Sequence, residues 1–291
     1  MRIIVTADLH YDIARSQGPT RRVADEICRL GADGLLVLGD AAGREPAILR
    51  ECLDLFDRFG GRKFFVAGNH DLWTNPDAGE DAQDRLERTL PAVCREAGFH
   101  PLDVEPAVIG RVGVVGSIGW YDFGYRQRWL EIPQRFYEAK VSPGFAARDE
   151  RYAHLAADAD DVPPEALDLG VRWMDGEYVR LPEGDLAFCR RLRDRLAEHL
   201  ARVADRADAI VVGLHHLPFR ELVPVSRDPR WAFAAAFMGS ETFGDVLLAE
   251  PKVRYAFCGH SHRGMGTRRD HVTCINVGCT YTDKRFDVIE L

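Results

Sequence analysis

The chain has 291 residues, 46% hydrophobic and 29% charged, an ordinary globular composition long enough to bury a large core without disulfides. Its formal net charge is −8 with no basic stripe, which argues against a long nucleic acid held through its phosphates, although bound cations can invert the field locally. Seven cysteines without a Cys-x-x-Cys pair exclude a secreted disulfide framework and a structural zinc knuckle, and no run reaches the ~18 apolar residues of a membrane span.

Residues 2–7 read as a buried strand that meets Asp8 and His10 at once. Its apolar stretch is too short for a secretory signal, so a cytoplasmic location is expected. Pro19-Thr20 is expected to open a helix with Val23, Ala24, Ile27, Cys28 and Leu30 at helical spacing, ending at Gly31. Residues 35–38 form a second strand ending at Gly39-Asp40. A helix from about 45 to 59 leads to a third strand, 63–67, ending at Gly68-Asn69-His70-Asp71. Strands alternating with helices of this length imply a parallel sheet, whose ligands sit beyond the carboxyl ends of its strands.

After a helix near 81–97, residues 107–109 and 112–115 around Gly110-Arg111 suggest a hairpin. Residues 118–182 are aromatic-rich and broken by prolines, and read as an insertion within a single domain spanning 1–291. A helix at about 184–205 leads to a strand at 209–212 and then to Leu214-His215-His216. The strand 253–257 leads to Cys258-Gly259-His260-Ser261-His262, and segments 271–277 and 286–289 are expected to finish a second sheet.

Imidazole nitrogens with carboxylate and amide oxygens suit manganese, iron or zinc rather than a thiolate site. Residues i and i+2 of an extended chain point the same way, so Asp8 with His10, and His260 with His262, can each grip an ion. One such segment alone is commonplace turn chemistry. Five in order, most of them directly after a strand, point to a shared metal site.

The ordered set Asp8-x-His10, Gly39-Asp40, Gly68-Asn69-His70-Asp71, His215-His216 and Gly259-His260-x-His262 resembles that of the calcineurin-like metallophosphoesterases. The resemblance implies an α/β fold, a four-layer αββα sandwich with two central sheets. It implies two divalent metal ions, manganese first, with iron, zinc or a mixed pair as alternatives. Asp8, His10 and His262 would hold the first ion, Asn69, His215 and His260 the second, and Asp40 would bridge them. A hydroxide between the ions would attack the phosphorus, with His70 protonating the leaving oxygen. Asp71 would either orient His70 or cap the following turn.

His216 would stand behind the ligands or face the substrate. Arg44 falls where protein serine/threonine phosphatases carry a phosphate-binding arginine, and is read as a substrate contact or a solvated helix start. Gly43 replaces the second aspartate of those phosphatases, and no tyrosine follows Asp40 as purple acid phosphatases require.

The implied activity is hydrolysis of phosphate esters, diesters before monoesters, on a small phosphoester or nucleotide, with no membrane involved. A nuclease of DNA or RNA ends and a non-catalytic metal-binding scaffold are the rival readings. Trp73, Trp120 and Tyr121 could wall a pocket or form a satellite cluster. Arg220, Arg227 and Arg230 could meet a second phosphate, and the Phe233–Phe237 segment could be a homodimer contact or a buried turn.

Overall fold

The computed structural model describes residues 1–75, 79–157 and 159–291. Five strands form one sheet: β1 (Arg2–Ala7), β2 (Gly34–Leu38), β3 (Arg62–Val66), β4 (Phe99–Pro101) and, at the far end of the chain, β11 (Asp287–Glu290). They lie in the order β11-β1-β2-β3-β4, all parallel except β11. The second sheet holds β5 (Ala107–Ile109), β6 (Val112–Ser117), β7 (Ala209–Leu214), β8 (Val253–Cys258), β9 (Met265–Arg269) and β10 (Val272–Asn276). Its order is β5-β6-β7-β8-β10-β9, with only the edge strands β5 and β9 antiparallel to their neighbours.

The central strands are unbroken apolar runs because both faces are covered. Ile3, Val5, Leu36, Leu38, Val211 and Phe257 pack in the cluster shared by the two sheets, whereas Ile4, Leu35, Val37, Ile210 and Val212 face the outer one. Helices Ala14–Leu30 and Asp185–Ala204 cover these outer faces with Val23, Ala24 and Ile27 and with Leu192, Leu196 and Val203. Two mixed sheets with helices on both sides make the expected αββα arrangement.

Several elements differ from expectation. The first helix begins at Ala14, so Pro19 lies inside it. The hydroxyls of Ser16 and Thr20 donate to the Leu9 carbonyl at 3.0 and 2.9 Å and tie this end of the helix to the loop after β1. The second helix stops at Asp54 and dissolves into turns before Phe59. β4 and β9 are strands that the sequence pattern does not mark. β11 joins the first sheet rather than the second, pairing antiparallel along the free edge of β1 and burying Ile289 opposite Ile3.

In the segment 118–182, Trp120, Tyr121, Phe123, Tyr125, Phe136 and Tyr137 are all buried, while Trp129 is exposed. Phe233 and Phe237 are fully buried against them, so that segment offers no exposed dimer face.

Candidate metal centre

All five polar segments leave the carboxyl ends of strands, Asp8 after β1, Gly39-Asp40 after β2, Gly68-Asn69 after β3, His215 after β7 and Gly259-His260 after β8. The loops stay paired as if the sheet continued. Asp8 and His10 donate their backbone N–H groups to the carbonyls of Gly39 and Asp40 at 3.0 and 2.7 Å, and Gly259 donates to His215 at 3.1 Å. Nine non-glycine residues among those described have positive φ, and Asp8, His10, Asp40, His260 and His262 are five of them. Left-handed backbone is uncommon outside glycine and gathers at functional sites. Two glycines are dictated by crowding: a Cβ on Gly68 would lie 2.2 Å from Asp40 Oδ1, and one on Gly259 would lie 2.5 Å from Asp8 Oδ2.

These loops assemble two groups of donor atoms that meet at Asp40. Asp8, His10, Asp40 and His262 each place one ligand atom within 4.8 Å of the others, and Asp40, His215 and His260 do the same. His10 Nε2 stands 3.3 Å from His262 Nε2 and 3.7 Å from Asp40 Oδ2. His215 Nδ1 donates to the Leu38 carbonyl at 3.0 Å, which turns Nε2 toward Asn69 Oδ1 at 3.2 Å and Asp40 Oδ1 at 3.4 Å. His260 Nε2 donates to the Phe237 carbonyl at 3.1 Å, leaving Nδ1 3.2 Å from His215 Nε2. His260 and His262 thus fall into different groups.

This arrangement fits a pair of cations. Lone-pair atoms converge at 3.2–3.4 Å around His215, where they repel unless a positive charge lies among them. Burial alone would hold His215 neutral, but Asp40 pushes it up to about 9, so a proton supplies that charge when no ion does. A divalent cation would compete with this proton for the same lone pair. Burial holds His10 and His260 well below the usual imidazole range, in the neutral form a metal requires. Asp40, despite its own burial, is kept well below the usual carboxylate range by His215 and His70.

Residues 1–264 match the calcineurin-like phosphoesterase family. The chain belongs to that family. It is therefore a phosphoester hydrolase of a class that works with two metal ions. Solved structures share its fold. The phosphopantetheinyl hydrolase of Mycobacterium tuberculosis is 20% identical, with a TM-score of 0.66 over 98% of this chain and 95% of that one. A dimetal phosphatase from Danio rerio is 13% identical, with a TM-score of 0.54 over 99% and 91%. No curated protein matches the sequence.

Around the centre of this phosphoesterase, His70 is partly exposed with Nε2 4.0 Å from Asp40 Oδ2, and its ring stacks on Trp73 at 3.8 Å. Asp71 orients no imidazole. Its oxygens accept the N–H groups of Ala42 at 3.0 Å and Gly68 at 2.8 Å, clamping the loops after β2 and β3 together. Burial, reinforced by Asp40, pushes its carboxyl up to about 7. Arg85, buried in the helical run 82–96, donates to the carbonyls of Asp71 at 2.6 Å and Arg44 at 2.7 Å and fixes the same loops from behind.

His216 is fully walled in, donating Nδ1 to the Ile118 carbonyl at 3.0 Å and packing 4.3 Å from His260, so it backs the site and does not face substrate. Burial depresses it to about 3. Arg44 lies over Tyr178 at 4.2 Å and is not among the residues lining the cavity beside the centre. Trp120 and Tyr121 are likewise buried away from it. Arg220 pairs its backbone N–H with Glu241 and its side chain with the Gly124 carbonyl, outside the cavity as well.

The residues that shape this cavity of about 870 Å³ carried no sequence signal: Trp173, Met174, Trp231, Met238 and Met265 stand around it beside Trp73. Asp175 is the hub behind them. It is fully buried, and it accepts from Asn69 Nδ2 at 2.8 Å, Trp73 Nε1 at 2.8 Å, Trp173 Nε1 at 2.7 Å and the Tyr121 hydroxyl at 3.1 Å. Because the Asn69 amide nitrogen points to Asp175, its oxygen must face His215. Tyr281 closes the other side, 4.9 Å from His10 and 5.1 Å from His262.

Proposed function

We propose that this phosphoesterase hydrolyses phosphodiesters at a two-ion centre, with Asp8, His10 and His262 at one ion, Asn69, His215 and His260 at the other, and Asp40 between them. The observation that carries this reading is the meeting of two donor groups, buried except for His262, at one carboxylate. Two divalent ions held there would neutralise phosphate oxygens and lower the pKa of a water between them.

The chain's own residues supply the remaining steps. Asp175 holds the Asn69 amide with its oxygen toward the centre. The stack on Trp73 fixes the His70 ring near the edge of the site, where an in-plane N–H can protonate the leaving oxygen. Imidazole, carboxylate and amide oxygen converge without a thiolate, a donor set that suits manganese, the ion put first, as well as iron or zinc. All seven cysteines are unpaired, which supports a reducing, cytoplasmic setting.

The diester preference rests on the cavity, which leaves room for a second substituent on the phosphorus. Of the two arginines lining the cavity, Arg172 is paired with Glu177 at 3.0 Å, while Arg263 is exposed with no carboxylate partner among the described residues and could meet the substrate's single negative charge. With a net charge of −8, a nuclease reading has no basic track to support it.

Turnover of bis(p-nitrophenyl) phosphate and of p-nitrophenyl phosphate by the Mn²⁺-loaded protein tests the proposal. The fold likeness to a phosphopantetheinyl hydrolase adds a phosphopantetheine diester to the panel. A higher kcat/KM for diesters is expected. Preference for the monoester would overturn the diester assignment, and no turnover with two ions bound would overturn the whole reading.

A further inference from the structure

The wall of the cavity distinguishes between kinds of diester, and this inference rests on the phosphodiesterase reading. At about 870 Å³ the space is far larger than a phosphate needs and lies within the usual range for small-molecule sites. Three of the chain's four methionines, Met174, Met238 and Met265, line it. Unbranched thioethers reshape around flexible apolar groups. At the mouth Trp231 is 63% and Val225 96% exposed, apolar surface that a bound chain would cover.

A nucleoside is poorly provided for. The indole of Trp73 already stacks on His70, and that of Trp173 lies parallel to Phe237 at 5.0 Å and 6°, so each has one face taken, and among the described residues no ring lies parallel to Trp231 to sandwich a base with it. Asp175, the carboxylate in the wall, is saturated by four donors and cannot read a base edge or a ribose hydroxyl.

We propose that the group esterified to the phosphate in the preferred substrate is an uncharged, flexible, largely apolar chain, seated between the methionines and Trp231. The segment 118–182, which supplies Trp173, Met174 and Asp175, then selects the substrate together with the later segments that supply Trp231, Met238 and Met265.

The test uses p-nitrophenyl esters of methyl, butyl and octyl phosphate, and thymidine 5′-(p-nitrophenyl phosphate), all releasing the same chromophore. Each methylene that is fully buried tightens binding by roughly three- to fourfold, so kcat/KM should rise at least ~10-fold from methyl to octyl through KM, with the thymidine ester below octyl. Met174→Glu should collapse the octyl-to-methyl ratio. A flat series, or the thymidine ester ranking first, overturns the proposal.

Binding of methyl- and octylphosphonate, followed by tryptophan fluorescence, separates this inference from the reading beneath it. Chain-dependent affinity without any diester turnover would retain the cavity assignment and remove the phosphodiesterase one, while equal affinities would remove the cavity assignment. Co-sedimentation with phosphatidylglycerol vesicles distinguishes a membrane-lipid ester from a soluble one carrying the same chain.

Discussion

Asp175 joins the metal centre to the wall of the substrate cavity, so its replacement should disturb two measurable properties to different extents. One oxygen accepts from Asn69 and Trp73, the other from Trp173 and Tyr121. Asp175→Asn keeps the shape but turns one oxygen into an NH2 group. If the remaining oxygen stays on Asn69 and Trp73, the Tyr121 hydroxyl can rotate to accept, but the Trp173 indole N–H cannot. One buried donor is orphaned and the surviving bonds lose their charge assistance, together ~2–4 kcal/mol of stability.

The Asn69 amide, less firmly held, should weaken one ion site by about 10-fold, the low end for a residue that orients a ligand, and leave the other unchanged. Tyr121→Phe removes one donor from the same carboxylate without touching Asn69, so it should lower stability by ~1 kcal/mol and leave ion binding as it was. Urea denaturation in EDTA and calorimetric Mn²⁺ titration read the two properties. An Asp175→Asn protein that binds both ions like the parent, or a Tyr121→Phe protein that loses an ion site, would refute the reasoning.

Asp40→Asn should abolish Mn²⁺-dependent turnover of bis(p-nitrophenyl) phosphate, because Asp40 is common to both donor groups; an unchanged rate would remove its bridging role. His70→Ala should keep two ions per chain by elemental analysis while turnover falls ~10²–10⁴-fold, and loss of an ion would make His70 a ligand instead. His199, buried on the helix Asp185–Ala204, is lowered by burial from 6.5 to about 4. The folded state refuses a proton that the unfolded state accepts, so stability present above pH 6.5 declines as pH falls toward 4, by up to ~3 kcal/mol. His199→Gln should remove that part of the acid loss, read as the difference between parent and variant in urea at pH 7 and pH 5. Identical acid slopes would show that His199 titrates alike in both states.

The parts of this protein legible in the sequence are those where chemistry and backbone geometry coincide. Gly68 and Gly259 precede ligand candidates because no Cβ fits against Asp40 or Asp8. That steric requirement, although imposed by residues distant in the chain, marks the sequence as Gly-Asn-His-Asp and Gly-His-Ser-His. Partnerships that demand no particular residue type leave no such mark. Residues 286–289 read as part of the second sheet, yet four residues, Asp287–Glu290, do not encode which edge is free, and they pair along the edge of β1. Composition leaves Trp120 and Tyr121 as pocket aromatics or as a satellite cluster, and their indole N–H and hydroxyl find Asp185 and Asp175 in the interior. Asp175 meets Asn69 across 106 residues, so nothing in its neighbourhood announces it.

The same contrast bears on how the site is kept in shape. A non-glycine residue in the left-handed region costs of order 1–3 kcal/mol, and five such positions cluster here. Two observed devices offset that strain. The loops exchange backbone hydrogen bonds as if β1 and β2 extended past their ends, and the His260 N–H donates to Asp8 at 2.9 Å, binding one sheet's loop to the other's. Asp71 and Arg85 then lock the remaining loops from the rear. These contacts reach the cavity only at its metal-centre end, through Asp40 and His260, whereas methionines and an exposed tryptophan stand along the rest of its wall. Rigidity is thus concentrated where donor atoms hold 3–4 Å spacings, and adaptable apolar side chains stand where the proposal seats the chain esterified to the phosphate. Substitutions in the wall can therefore alter which ester is taken while the five strand ends keep their geometry.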